Sequence, residues 1–327
     1  MGLTFRAPLL NRPGCPSPAL DIFAQTTVGG AGAPICSLLV QPVPPTFSNV
    51  AVPGHQVADV YLDRGQNASL TSQLTGLMLG GRTQIASARE ALPTFAVIWI
   101  GHNEILGAAQ SGDASLATTP GTFTARYMVL MDSLATLNLK SAALLGLFDV
   151  TKIPAISRGS EYYAAKQSGK LPTSFTVDAT CAPASSGGIG ESVLVPHGYG
   201  LADLLRRAVA GTAVTLNCAT DAAVLTQTET QTLASSVAAY NVTIAQQAQA
   251  KGWLYLDPNP VFDSLRAAGE VPLFPNLPPS PLATTQPFGK WLSLDGAHPS
   301  GLTHRLVANR LIAAVNAKYG TTFAPAP

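Results

Sequence analysis

The chain has 327 residues, 46% hydrophobic and 11% charged, with a formal net charge of +1. A chain this long and apolar can bury a large core, which excludes bulk disorder. Near-neutral charge without a Lys/Arg run argues against nucleic acid or an anionic membrane surface as partner, and no stretch is long and apolar enough to span a bilayer, so small neutral or apolar molecules fit better.

Met1 to Pro45 is crowded with proline and glycine and shows no helical period, so it reads as loop. Gly29, Gly30 and Gly32 lack the preceding strand and following Lys-Ser/Thr of a phosphate loop. Met1 to Leu10 carries no legible secretory signal. The four cysteines, Cys15, Cys36, Cys181 and Cys218, form no cluster of metal-binding spacing. Three disulfide connectivities are open, and the local pairs Cys15–Cys36 and Cys181–Cys218 are favoured because each closes a loop rich in turn-forming residues. Such usage leans toward a secreted, periplasmic or outer-surface protein; four buried free thiols are the alternative.

Ser48 to Val52 predicts a buried strand ending at Pro53-Gly54, with a helix over Gln56 to Leu62. Glycine at the carboxyl end of a parallel strand leaves a backbone N–H unshielded, where it could serve as an oxyanion donor. Leu70, Leu74 and Leu77 keep helical spacing until Gly80-Gly81. Phe95 to Ile100 is the strongest strand signal, apolar throughout as a central parallel strand should be. It runs into Gly101-His102-Asn103-Glu104, where the Asn103 amide could donate into the same crevice. Phe123, Tyr127, Leu130, Met131 and Leu134 predict a helix, and Ala142 to Phe148 another strand. This strand–helix–strand order predicts an α/β domain with a parallel sheet, taken as one domain over 1–327.

Between 151 and 220 the pattern loosens into a Ser/Gly/Pro-rich insertion, read as a loop excursion flanking the cleft. Thr226 and Glu229 form a capping box opening a helix with Leu233, Val237, Tyr240, Ile244 and Ala248 on one face. Trp253 to Leu256 is the next strand. The Pro-rich stretch 258–287 reads as a mobile cover, and a last helix carries Leu302, Leu306, Leu311 and Val315 up to Gly320.

Asp295 and His298 stand three apart on a turn stiffened by Gly296 and Pro299, immediately before that helix. The spacing lets the carboxylate fix the imidazole's tautomer and stabilise its charged form, as the acid and base of a hydrolytic triad require. The plainer reading is a polar loop with Ser300 as N-cap. His55, His102, His197 and His304 read as hydrogen-bonding loop residues rather than metal ligands, and no cofactor or metal is expected.

These stretches carry a resemblance. Pro53-Gly54, Gly101-His102-Asn103-Glu104 and Asp295-Gly-Ala-His298-Pro-Ser resemble the second, third and fifth blocks of the SGNH, or GDSL-type, ester hydrolases, in their secreted esterase/lipase branch. The third block usually ends in Asp, and Glu104 stands there instead. The resemblance implies a three-layer α/β/α, flavodoxin-like parallel sheet and carboxylic ester hydrolysis by a Ser-His-Asp mechanism. It implies that Gly54 and Asn103 form the oxyanion hole, that His298 is the general base and that Asp295 orients it.

The first block, Gly-Asp-Ser-Leu, has no counterpart before Gly54. The nucleophilic serine and first strand are therefore expected upstream of Met1, leaving this chain with little serine-dependent turnover and a sheet with an unpaired edge or gap. Ser17, Ser115, Ser133, Ser192 and Ser264 lie in partial matches without the required strand-to-turn setting. Two alternatives remain: a non-catalytic acyl- or glycan-binding relative, and an acyltransferase on the same scaffold.

Overall fold

The computed structural model describes Ala19–Asp21, Thr26–Val28 and residues 48–327. The protein is mixed α/β, with helices around small, partly parallel sheets and no barrel. The early region read as loop contains two short strands, β1 (Ala19–Asp21) and β2 (Thr26–Val28), paired antiparallel. Cys15, Cys36 and the three early glycines lie outside the described residues.

The segment 48–52, expected as a strand, forms no regular structure and is unpaired among the described residues. Two of its carbonyls are taken outside any sheet: Val50 O accepts from Gln84 Nε2 (2.7 Å) and Val52 O from the His55 N–H (3.4 Å). Val50 and Val52 pack instead against Leu74, Met78 and Leu79. After the short helix α1 (Asp59–Leu62), the leucine-spaced helix α2 (Leu70–Leu79) starts on a Ser69 N-cap and stops where Gly80 turns left-handed. α3 (Gln84–Glu90) follows on a Thr83 cap.

β3 (Phe95–Ile98) leads through α4 (Leu106–Ser111) and α5 (Pro120–Ala135) to β4 (Ser141–Leu145). β3 pairs parallel with β4, as the apolar runs predict. Among the described residues the third strand of the sheet pairs on β4's other side, and β3 has β4 as its one neighbour, with Val97 52% exposed. Its apolar character suits a neighbour on each side, and the described residues supply one.

The insertion is more ordered than expected. It holds β5 (Ile156–Arg158), α6 (Gly159–Gln167), β6 (Phe175–Val177), β7 (Leu194–Pro196), α7 (His197–Tyr199), a π-helical stretch Gly200–Leu205, α8 (Arg206–Val209) and β8 (Val214–Leu216). β5 pairs antiparallel with β7 and β6 parallel with β8. Tyr162, Phe175, Val195, Leu201 and Leu216 form an apolar cluster there, beside the Cys181–Cys218 disulfide.

α9 (Gln227–Ala250) begins on the Thr226/Glu229 capping box and buries Leu233, Val237, Tyr240, Ile244 and Ala248 as its spacing predicts. Fully burying side chains of this kind contributes about 1.5–3 kcal/mol each. β9 (Leu254–Leu256) then pairs parallel with β4, giving the order β3-β4-β9. Rather than a mobile cover, the Pro-rich stretch opens with α10 (Asn259–Ala267), and Val261, Phe262, Val271 and Leu277 are buried. α11 (Gly301–Tyr319) ends at left-handed Gly320.

Successive β4 side chains point to opposite faces. Leu144 joins Tyr127, Leu130, Tyr240 and Ile244 of α5 and α9 on one face. Ala143 and Leu145 join Val261 of α10 and Val307 of α11 on the other.

Candidate active site

The turn before α11 is knotted by its own backbone. Ser293 N–H donates to His298 O (2.8 Å) and Gly296 N–H to Ser293 O (3.1 Å), while Leu292 and Pro299 bridge its base. Within it His298 Nδ1 lies 2.5 Å from Asp295 Oδ2. Asp295 Oδ1 accepts from the N–H groups of Ala297 and His298, each at 3.0 Å, and from the Ser293 hydroxyl. Burial raises the Asp295 carboxyl, but these hydrogen bonds outweigh it and hold the group far below the usual carboxylate range. Bonded to that carboxylate, the His298 imidazole is raised above its ordinary value. Its side chain is 70% exposed, and Nε2 has no partner among the described residues. Sequence reasoning missed Ser293, although its place two residues before Asp295 suits a local hydroxyl donor. Ser300 does occupy the N-cap, but its Oγ is buried without a hydrogen bond, so it does not cap the helix through its side chain.

Gly54 sits at φ +83 on an exposed turn, and a Cβ there would stand 2.9 Å from Thr71 Oγ1. The left-handed backbone and the close approach both require glycine. Its N–H has no partner among the described residues. Asn103 lies in the 3₁₀ turn His102–Glu104 after β3, and its Nδ2 donates to His55 O at 2.9 Å, leaving one amide hydrogen without a partner among the described residues. Gln56 Nε2 donates back to Asn103 O at 3.2 Å. Gly54 and Asn103 are thus joined through the residue that follows Gly54.

His102 and Trp99 link this pair to the dyad. His102 Nε2 accepts from the Phe148 N–H (2.9 Å), so the proton of its neutral ring is on Nδ1. Burial, with His298 nearby, pushes it down to about 4. Trp99 stands 5.8 Å from the His102 ring and 6.4 Å from that of His304, which lies on α11 rather than in a loop. His304 is lowered by burial and by His298. The end of β3 therefore touches both the Gly54 turn and the start of α11.

No hydroxyl is bonded to His298 Nε2 among the described residues. Ser133, Ser192 and Ser264 donate to backbone carbonyls of Val129, Ile189 and Pro260, and Ser115 donates to Asp113. Ser17 lies outside the described residues. A different Ser–His pair went unforeseen, because its members are 40 residues apart without a motif: Ser157 Oγ lies 2.9 Å from His197 Nε2. Both are buried, and Ser157 Oγ also lies 3.2 Å from Leu273 O, which can only accept. The hydroxyl hydrogen satisfies that carbonyl and His197 donates from Nε2, so Ser157 is a structural group rather than an activated nucleophile.

No group of three or more His, Cys, Asp or Glu side chains among the described residues could hold a metal ion, and no helix there is long and apolar enough to cross a membrane. No protein-family model and no curated protein matches the chain.

Proposed function

We propose that this chain carries the base and oxyanion half of an SGNH-type carboxylic ester hydrolase with a flavodoxin-like three-layer core. The carrying observation is the Asp295–His298 pair: a carboxylate held ionised by four donors, an imidazole fixed through Nδ1, and an Nε2 without a partner among the described residues. Such a pair accepts a proton from an attacking hydroxyl and returns it to a leaving alcohol. The hydroxyl oxygen bonds to the ester carbonyl carbon as His298 takes its proton. The resulting oxyanion is met by the Gly54 N–H and the second amide hydrogen of Asn103. Collapse expels the alcohol, protonated by His298, and water then releases the acid by the same steps.

The nucleophilic serine belongs to sequence outside the described residues. Reading the codons upstream of Met1 in frame tests this directly: a Gly-Asp-Ser block supports the enzyme, and an immediate stop removes its nucleophile. Residues 1–327 alone are expected to turn over p-nitrophenyl acetate poorly. With the serine block attached, hydrolysis should appear and fall on the order of 10⁴-fold in His298→Ala. Stoichiometric labelling of residues 1–327 by a fluorophosphonate would overturn the assignment of the nucleophile elsewhere. That no hydroxyl among the described residues reaches Nε2 favours one second reading, a non-catalytic binder of acyl or glycan groups, which predicts ligand binding without turnover in the extended chain.

A further inference from the structure

Behind the Gly54 turn lies a buried polar network that ester chemistry does not itself employ. His55 is 0% exposed and Asp63 7%. Gln84 Nε2 donates to Val50 O, which can only accept, so Gln84 Oε1 is the atom 2.9 Å from His55 Nδ1, and Nδ1 must carry a proton. On the other side of the ring, Nε2 lies 2.7 Å from Thr75 Oγ1, which lies 2.6 Å from Asp63 Oδ2. The Thr75 hydroxyl has one hydrogen for these two contacts; a hydrogen spent instead on its longer contact, Thr71 O at 3.2 Å, would require both Nε2 and Asp63 to donate. If it goes to Asp63, Nε2 must donate to Oγ1; if it goes to Nε2, Asp63 must donate. Either arrangement holds one proton more than a neutral imidazole and a carboxylate. Without that proton, two lone pairs face each other at hydrogen-bond distance in a buried site.

The rest of the network decides where the proton sits. Asp63 Oδ1 accepts from Ser72 Oγ (2.6 Å) and the Gly65 N–H (3.0 Å), and Oδ2 also lies 3.2 Å from Nε2. Burial raises the Asp63 carboxyl, but the Ser72 and Thr75 hydroxyls, the Gly65 N–H and His55 outweigh it and hold the group below its usual range. The carboxylate is the ionised partner and the ring keeps both hydrogens.

We propose that His55 is the positioning residue of the candidate oxyanion hole, a doubly protonated imidazolium locked by Asp63, Thr75 and Gln84. Its backbone N–H closes the Gly54 turn on Val52 O, and its carbonyl holds the Asn103 amide at 2.9 Å. One immobilised residue thereby sets the Gly54 N–H and the Asn103 amide relative to each other. The other carboxyl groups beside this segment, Asp59 and Glu104, accept from the N–H groups of Gln56 and Val57 and make no bond to the ring. The positioning role rests on the ester-hydrolase reading; the proton count does not.

NMR of the whole chain labelled with ¹⁵N-histidine reads that count, at a pH about one unit above the ordinary imidazole value of ~6.5. His55 is expected to show two ring N–H protons, and a single one overturns the assignment. In Asp63→Asn the new amide can donate to Thr75, which then donates to Nε2, so His55 should drop to one ring proton. The Gly54 N–H and Asn103 side-chain signals should shift with it, and a folded Asp63→Asn protein that leaves both unmoved overturns the positioning role. Should that variant not fold, Thr75→Val, which removes the 2.7 Å acceptor at similar volume, is expected to shift the same signals and Thr75→Ser to restore them. Wild-type positions in both would also overturn it. Failure of the ester-hydrolase reading would show in turnover and leave the ring-proton result untouched.

Discussion

Two carboxyl groups near the candidate site are driven in opposite directions by their surroundings. Asp295 is held ionised by donors, whereas Glu104, 1% exposed, is pushed up to about 7 by burial. One oxygen of Glu104 accepts from the Val57 N–H (2.7 Å), and the other has no partner among the described residues. The folded protein then binds a proton at Glu104 that the unfolded chain releases near the ordinary value, so stability falls as pH rises between about 4.5 and about 7. The slope is on the order of 1.4 kcal/mol per unit at most. Glu104→Gln should flatten this limb in urea unfolding followed against pH; a limb of unchanged slope would locate the titrating group elsewhere. The sign is the same for His298, whose raised value means that the Asp295 contact stabilises the fold below about pH 6.5 and fades as pH climbs through the folded value. Asp295→Asn should lower the His298 titration midpoint, read by NMR, and no change would mean that the short contact is absent in solution. The 295–298 pair was legible in the sequence because both partners share one turn. The contacts of Glu104 with Val57 and of His55 with Gln84 span 47 and 29 residues, and no local spacing announces them.

Among elements, the long periodic helices and the apolar runs of β3, β4 and β9 formed as their residues dictate, whereas the 48–52 segment did not pair among the described residues. α9 needs only its own capping box and one apolar face, and α5 likewise. The 48–52 segment has strand-like composition, but a strand requires a partner, and two of its carbonyls are satisfied by Gln84 and His55 instead. Among the described residues β3 pairs on one side only, and with apolar Val97 half exposed its other side has backbone groups open to a further strand. Val97→Lys is expected to reduce self-association measured by light scattering while changing unfolding free energy by no more than about 0.5 kcal/mol. A drop of several kcal/mol would show instead that this face is covered in solution.

Across the whole molecule the insertion and the parallel sheet meet at the turn that carries His298. The insertion's order was illegible because its strands span only three residues each and its helical stretch passes through a π-turn, so neither period repeats long enough to register. Phe288 belongs to the insertion's apolar cluster, stacks on His197 at 5.4 Å and lies under Gly296, where a Cβ would meet its ring at 2.9 Å. Gly296 O accepts from the Ala155 N–H at 2.9 Å, so the turn leans on the insertion through both packing and backbone. Loosening the insertion should therefore loosen the dyad. Cys181 and Cys218, 37 residues apart, close the insertion's core, and loss of such a link costs about 2–4 kcal/mol. Cys181→Ser combined with Cys218→Ser leaves Cys15 and Cys36 untouched and is expected to lower the melting temperature by several degrees. The His298 titration midpoint should fall with it, as the Asp295 contact weakens. If the melting temperature drops while His298 titrates unchanged, the turn is held from the α11 side, where Ser300 N–H and Thr303 Oγ1 both donate to Trp291 O, and the insertion contributes stability without steering His298.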